Sequence, residues 1–217
     1  MAVLFSGGLD SAVLLALELK TDPRPQPIHV RCGLAWEDGE ARAIRRLLAI
    51  EPFVNRIRPP VTLTVDLRDL YSPNHWAVRG TPPAYNTPDE DVYLEGRNVV
   101  LIAKAAILCA KLGLSRLAIG TLAGNPFPDA TPQFFDAIAR AMSFGLARPF
   151  SVVAPLSRMH KSDVVRLGRS LGVPLELTLS CMNPSSSNTP CGACSKCRER
   201  DDALREADEV ATGSPSG

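Results

Sequence analysis

The chain has 217 residues, of which 45% are hydrophobic and 22% are charged, so it can bury one sizeable globular core. Its 24 Lys and Arg residues nearly balance its 23 Asp and Glu residues, and the positive excess expected of a dedicated nucleic-acid binder is absent. The first residues run directly into a glycine turn, which predicts no signal peptide, and no apolar run is long enough to cross a bilayer. We therefore expect a cytoplasmic protein whose six cysteines stay reduced.

Short apolar runs alternate with longer segments of helical period along most of the chain. This alternation predicts an α/β fold in which helices cover both faces of a doubly wound, mostly parallel sheet. The predicted strands cover residues 2–5, 28–31, 61–65, 116–120 and 151–155. The predicted helices cover residues 10–19, 37–49, 98–112, 132–146, 161–171 and 198–209.

A glycine-containing loop, Ser6-Gly7-Gly8-Leu9-Asp10-Ser11, joins the first predicted strand to the first predicted helix. Free N–H groups at a helix N-terminus attract phosphate, and glycines let the backbone close around it. The spacing matches neither the Walker-type loop nor the G-x-G-x-x-G dinucleotide loop. The alternative is a plain turn in which Asp10 or Ser11 caps the helix. Because a cap needs only one such residue and this loop offers several, the sequence favours a phosphate site.

Residues 71–96 form a long stretch that is rich in Pro, Asn and Asp and has no periodicity. Loops of that length within a compact domain are usually functional or mobile, which favours a lid or a substrate loop. An irregular surface connection is an equally good interpretation.

Four cysteines lie close together near the C-terminus, namely Cys181, Cys191, Cys194 and Cys197. Four thiolates at this spacing predict a closed, tetrahedral zinc site of structural type, with disulfides and an iron–sulfur cluster as the alternatives. We expect residues 1–180 to form the α/β domain and residues 181–210 to pack on it as a zinc-binding segment. Residues 211–217 are rich in Ser, Gly and Pro, which predicts disorder.

The glycine loop and its place after the first strand resemble the signature of the N-type ATP pyrophosphatases, which cleave ATP between its α and β phosphates. The resemblance implies the Rossmann-like fold of the adenine nucleotide alpha hydrolases, with Mg²⁺ near Asp10. It also implies that ATP is bound by Phe5, Ser6, Gly7, Gly8, Leu9, Asp10, Ser11 and Asn98.

Further segments, spread over nearly the whole chain, make it similar to the 7-cyano-7-deazaguanine synthase family of queuosine biosynthesis. These segments are Gly96-Arg97-Asn98, Ile119-Gly120, Pro128-Asp129, Lys161 with the helix that follows it, and Ser180-Cys181 with residues 190–198. The resemblance implies a ligase that uses ATP and ammonia to convert 7-carboxy-7-deazaguanine into a nitrile through adenylated intermediates. It implies no nucleic-acid or membrane partner, and it leaves a homodimer open.

The same resemblance implies catalytic roles for Asp10, Ser11, Arg97 and Lys161, and substrate binding by Phe127 and Asp129. Other interpretations of these residues are open. Arg97 and Lys161 are also consistent with solvated surface charges, with Glu95 as an ion-pair partner for Arg97. Phe127 and Asp129 also fit an ordinary proline-rich turn before a helix.

Two segments depart from the pattern of this family. Residues 33–38 replace a Gly-Gln-x-His stretch, and residues 121–126 are shorter and less acidic than expected. These departures leave the acyl substrate open. The alternatives are a paralogue that adenylates another carboxylate or amide, a tRNA-modifying enzyme with the same loop, and a non-enzymatic zinc-ribbon module.

Overall fold

A computed structural model of the chain describes residues 1–212, with the side chains of residues 211 and 212 left aside. The strands are β1 (Ala2–Leu4), β2 (Gln26–Arg31), β3 (Val61–Thr64), β4 (Arg116–Ala118) and β5 (Ser151–Val153). The α-helices are α1 (Leu9–Glu18), α2 (Glu37–Leu48), α3 (Trp76–Arg79), α4 (Arg97–Lys111), α5 (Pro132–Gly145), α6 (Lys161–Ser170) and α7 (Ser195–Thr212).

All five strands pair in parallel, in the order β3-β2-β1-β4-β5. Successive side chains of β1 point to opposite faces of the sheet, as the strand geometry requires. Leu4 packs in a core with residues of α4 and α5, whereas Val3 packs in a second core with residues of α1, α6 and α7. The predicted doubly wound α/β class is confirmed.

The strand order reverses at β1, because β2 lies on one side of β1 and β4 on the other. In open parallel sheets, the loops that follow such strands diverge and leave a crevice at their carboxyl ends. Here the crevice lies between the loop after β1 and the loop after β4. The glycine loop is therefore at the position where this architecture binds ligands.

The structure differs from the sequence-based expectation mainly outside the sheet. Residues 71–96 are not wholly irregular, since they contain α3 and a 3₁₀ turn at Asp89–Val92, both too short to give a periodic pattern. Helix α7 begins three residues before the predicted start and includes residues 211 and 212. The disorder predicted for residues 213–217 lies outside the described residues.

Within residues 1–212, no helix combines the length and the apolar composition needed to cross a membrane.

Candidate active site

The glycine loop presents a helix N-terminus to the crevice. Helix α1 begins at Leu9, its N-cap is Gly8, and no side chain of the described residues caps it. The interpretation in which Asp10 or Ser11 caps the helix is therefore wrong. The Ser11 hydroxyl closes the loop instead, because it donates to the Gly8 carbonyl at 3.0 Å and accepts from the Ser6 N–H at 3.3 Å. The first backbone N–H groups of α1 have no helical acceptor and are available to an anion.

Gly7 lies on the side of the loop that packs against α2 and is not among the residues that line the cavity. Its φ of 76° lies in the left-handed region, and its carbonyl accepts a hydrogen bond from the Leu179 N–H at 2.9 Å. A Cβ atom at this position would lie 3.1 Å from Ala43 Cβ and from Ile44 N of α2. The loop conformation thus depends on glycine both for its backbone angle and for its clearance.

We expect Gly7→Ala to lower the free energy of unfolding by about 2–4 kcal/mol, because a left-handed non-glycine residue costs about 1–3 kcal/mol and the contact with α2 adds to it. Urea unfolding measures this change. Gly113→Ala is the matched control, since Gly113 has φ 70° but nothing within 4 Å of an added Cβ. Equal losses in the two variants would contradict the proposed crowding against α2.

A chain of charges crosses the crevice beside the loop. Lys161, the first residue of α6, places its Nζ atom 2.6 Å from Asp10 Oδ2 and 3.1 Å from Glu199 Oε1. Glu199 belongs to α7, and its Oε2 atom lies 2.6 Å from Lys196 Nζ. The Lys161 side chain is only 15% exposed, so the interpretation of this lysine as a solvated surface charge is wrong.

The pKa values of this cluster follow from the pairing. Burial alone would lower the pKa of Lys161, but the carboxylates of Asp10 and Glu199 outweigh burial and raise it above its usual value. Burial would likewise raise the pKa of Glu199, whereas the two lysine ammonium groups hold it at about 2. The Lys161 ammonium and the Glu199 carboxylate are therefore both charged at neutral pH.

One oxygen of Asp10 is available to a cation. Asp10 Oδ2 is taken by Lys161, while Oδ1 is buried and has no hydrogen-bond partner within residues 1–212. A buried carboxylate oxygen without a partner is costly, and hard cations such as Mg²⁺ prefer oxygen ligands of this kind. The donor chemistry of this oxygen fits a hard divalent cation.

Asn98 and Asp129 meet at the opposite wall of the crevice. Asp129 is 6% exposed, and its Oδ2 atom accepts from the Asn98 backbone N–H at 3.0 Å while its Oδ1 atom accepts from the Asn98 side-chain amide at 3.3 Å. Burial raises the pKa of the Asp129 carboxyl, and the bonds from Asn98 only partly oppose this. Asp129 thus accepts a hydrogen bond from a backbone N–H group at the start of α4, and it also lines the cavity.

Two aromatic contacts shape the same wall. The Phe127 ring stacks on Tyr93 with a centroid distance of 5.1 Å, and the Trp36 ring stacks on Trp76 at 5.7 Å. The Arg97 guanidinium lies 6.0 Å from the Trp36 ring centroid, and its Nε atom is buried without a hydrogen-bond partner in the described part of the chain. An orphan donor of this kind fits an anionic or carbonyl group of a ligand.

These side chains line one cavity of about 660 Å³, a size suited to a nucleotide or a small cosubstrate. The sequence-predicted residues that line it are Phe5, Ser6, Gly8, Leu9, Asp10, Ser11, Arg97, Asn98, Phe127, Asp129 and Lys161. The structure therefore brings together residues that are up to 156 positions apart, between Phe5 and Lys161.

Sequence reasoning missed two groups in the cavity wall. Glu199 gives no local signal, because an acidic residue in a charged helix is ordinary until its contact with Lys161 is seen. His29 Nε2 lies 3.0 Å from Glu40 Oε2, and both residues are buried. Their spacing of eleven residues across a strand and a helix matches no local motif.

The four C-terminal cysteines form a separate cluster in which all four sulfur atoms lie within 4.8 Å of one another. The Cys194 and Cys197 sulfurs are 3.6 Å apart, and those of Cys191 and Cys197 are 4.0 Å apart. Four thiolates about 2.3 Å from a tetrahedral zinc ion would lie about 3.8 Å from each other. In a disulfide the two sulfur atoms lie about 2.05 Å apart, so the disulfide alternative is wrong. The four sulfur atoms instead have the spacing of the ligands of one metal ion.

The cysteine cluster also contacts the 71–96 segment. Cys194 forms an antiparallel bridge with Ala84, which holds the 71–96 segment against the start of α7. In the same region Asp89 lies 3.8 Å from Lys196 and 3.7 Å from Arg198. The 71–96 segment is thus docked on the cysteine-rich segment at the rim of the cavity.

The fold and the position of the glycine loop define an α/β protein that binds ligands at the carboxyl ends of its parallel strands. Solved structures with this fold include a 4-thiouridine synthetase in complex with RNA and ATP, with a TM-score of 0.53 and 17% identity over 98% of this chain and 53% of that one. NMN synthetase from Francisella tularensis has a TM-score of 0.50 and 14% identity over 100% of this chain and 78% of that one. This chain spans about half of the thiouridine synthetase, and identities this low show the fold alone.

The sequence comparisons are more specific. The family model described as queuosine biosynthesis protein QueC matches residues 1–208, and the chain belongs to this family. The 7-cyano-7-deazaguanine synthase of Methanothrix thermoacetophila is 32% identical over 94% of this chain and 93% of its own length. That of an Anaeromyxobacter species is 34% identical over 94% of this chain and 91% of its own length. The predicted family is confirmed.

Proposed function

We propose that this chain is an ATP-dependent carbon–nitrogen ligase that converts 7-carboxy-7-deazaguanine and ammonia into 7-cyano-7-deazaguanine. The observation that carries the proposal is the single cavity, in which the glycine loop and Lys161 lie at one wall and Arg97, Asn98 and Asp129 at another. Membership of the QueC family supports the choice of substrate. The tRNA-modifying and zinc-ribbon alternatives have no comparable support.

The proposed reaction requires two adenylation steps, the first on the carboxylate oxygen and the second on the amide oxygen. A carboxylate oxygen attacks the α-phosphorus of ATP, pyrophosphate leaves, and the acyl adenylate then reacts with ammonia to give the amide and AMP. The amide oxygen attacks the α-phosphorus of a second ATP, pyrophosphate leaves, and loss of both nitrogen protons together with AMP leaves the nitrile. Each round removes one water equivalent from the substrate and turns one ATP into AMP and pyrophosphate.

The wall beside the glycine loop has the groups that stabilise the charge transferred to the leaving pyrophosphate. The N–H groups of the first turn of α1 and the Lys161 ammonium are fixed donors, and fixed donors cost no reorganisation during the reaction. Ser6 and Ser11 hold the loop in shape through their mutual contacts. Bound Mg²⁺ would neutralise phosphate charge, and Asp10 Oδ1 is the oxygen that would hold it.

The opposite wall has the groups for the deazapurine. Phe127 uses one ring face on Tyr93 and can offer the other to a planar base. Asp129 and Asn98 can hydrogen-bond to the edge of that base, and Arg97 can bind the substrate carboxylate. Ammonia enters from solution, since the cavity is open to solvent.

Zinc held by the four cysteines fills a closed shell and is structural, with residues 181–210 as a segment packed on the domain of residues 1–180. A cytoplasmic location, which keeps the thiolates reduced, belongs to the same proposal.

The test is the nucleotide product formed in the presence of each candidate acid. With Mg²⁺, ammonium and 7-carboxy-7-deazaguanine, we expect AMP and pyrophosphate rather than ADP and phosphate, and no turnover when the acid is omitted. Turnover with another carboxylate but not with 7-carboxy-7-deazaguanine would overturn the substrate assignment but would leave the proposed ATP chemistry intact. ADP formation, or turnover that is independent of any acid, would overturn the proposal.

A further inference from the structure

Glu199 joins the cysteine-rich segment to the phosphate loop. It lies two residues after Cys197, in the first turns of α7, and is the second carboxylate that contacts Lys161. Asp10 approaches the same ammonium group from the loop at 2.6 Å. Lys161 is thus held between two carboxylates that come from different elements of the fold.

Charge balance alone does not account for Glu199. Asp10 already neutralises Lys161, and Glu199 is itself neutralised by Lys196 at 2.6 Å. The second ion pair fixes the position of the Lys161 ammonium group. A lysine paired with Asp10 alone could move together with that side chain. When Asp10 Oδ1 holds a cation, Glu199 is a second partner that keeps the Lys161 ammonium in place.

The backbone that carries Glu199 is fixed on both sides. Cys194 and Cys197 precede it, and Arg200 follows, donating to Thr178 Oγ1 at 2.6 Å and to the Leu175 carbonyl at 2.7 Å. Arg200 thereby ties α7 to the same chain stretch whose Leu179 N–H holds the Gly7 carbonyl. The two contacts to the phosphate site, from the Leu179 N–H to the Gly7 carbonyl and from Glu199 to Lys161, are thus linked to each other through Arg200.

We propose that Glu199 is a positioning residue for Lys161, which it holds in place for the leaving pyrophosphate. The role rests on the proposed function, since it requires that Lys161 meets phosphate. Through Glu199 the four-cysteine cluster also supports the reaction centre. The residue is not a ligand of the nucleotide in this arrangement and acts only through the lysine.

A double-mutant cycle tests this role. The variants are Glu199→Gln, Lys161→Met and the double variant, with Glu209→Gln as the matched control at an exposed position of the same helix. For Glu199→Gln we expect kcat to fall about tenfold, within the coupling of contacting residues, while KM for ATP stays unchanged or falls because one negative charge is removed. The double variant should be no slower than Lys161→Met, and Glu209→Gln should match the wild type.

Each outcome decides between the two claims. Additive losses in the cycle, or a Glu199→Gln variant with wild-type kcat, would overturn the role of Glu199 and leave the proposed function intact. A wild type that binds no ATP analogue would overturn both. If Glu199→Gln loses its metal or its fold, Glu199→Asp replaces it in the cycle, since the shorter side chain keeps its charge but falls short of Lys161.

Discussion

Lys161→Met is expected to weaken ATP binding by about 10²–10³-fold. Truncating one partner of a buried charge pair costs about 2–5 kcal/mol, and each 1.4 kcal/mol is tenfold in affinity. Two effects combine here, because the phosphates lose a cation and the carboxylates of Asp10 and Glu199 are left facing them without a counter-charge. Titration with a non-hydrolysable ATP analogue at fixed Mg²⁺ measures the change.

Lys104→Met is the matched control, because Lys104 is an exposed lysine of α4 and its loss should not change the affinity. Lys161→Arg should recover part of the binding, since it keeps the positive charge but changes its shape. An unchanged affinity in a folded Lys161→Met variant would contradict the placement of the phosphates beside this lysine.

Removal of the metal from the cysteine cluster should have the largest effect on stability. Structural zinc contributes about 10–16 kcal/mol to the folding of small zinc-binding peptides. Each kcal/mol moves the melting temperature of a chain of this size by about 2–4 °C, so even a third of that contribution lowers it by about 10 °C. Cys191→Ser is the best variant, because Cys191 is exposed and its loss removes a ligand without opening the core.

Metal analysis and thermal melting together test this expectation. The wild type should carry one zinc ion per chain and Cys191→Ser little or none, with a fall in melting temperature and in ATP affinity. Cys109→Ala, which removes a buried thiol outside the cluster, should keep the metal. Iron in the purified protein would point to the iron–sulfur alternative, and a metal-free wild type of unchanged stability would contradict a structural site.

The sequence predicts much of this arrangement because the relevant signals are local. The glycine loop carries its own backbone preferences, and the short strands with intervening helices leave few parallel topologies. The cysteine spacing limits the cluster to one region of the chain. Only the family resemblance indicates Lys161 and Asp129 as site residues, since a single Lys or Asp has no chemical signature by itself.

The remainder depends on contacts that no local pattern encodes. Glu199 becomes a site residue only when α7 packs beside α6, and the pairing of His29 with Glu40 requires β2 and α2 to be folded. Trp36 lies in a segment that departs from the family pattern, and only the structure shows that it stacks on Trp76 and lies beside Arg97. Helix α3 is a single turn, and one turn gives no period to detect.

The most direct test of the central claim is mass spectrometry of the reaction with ATP, Mg²⁺, 7-carboxy-7-deazaguanine and heavy-nitrogen ammonium, with Asp10→Asn as the control. We predict 7-cyano-7-deazaguanine with the heavy nitrogen in its nitrile group, and loss of that product in the control. ATP binding without labelled nitrile or amide would contradict the proposed reaction, and nitrile formation by Asp10→Asn at the wild-type rate would contradict the proposed site.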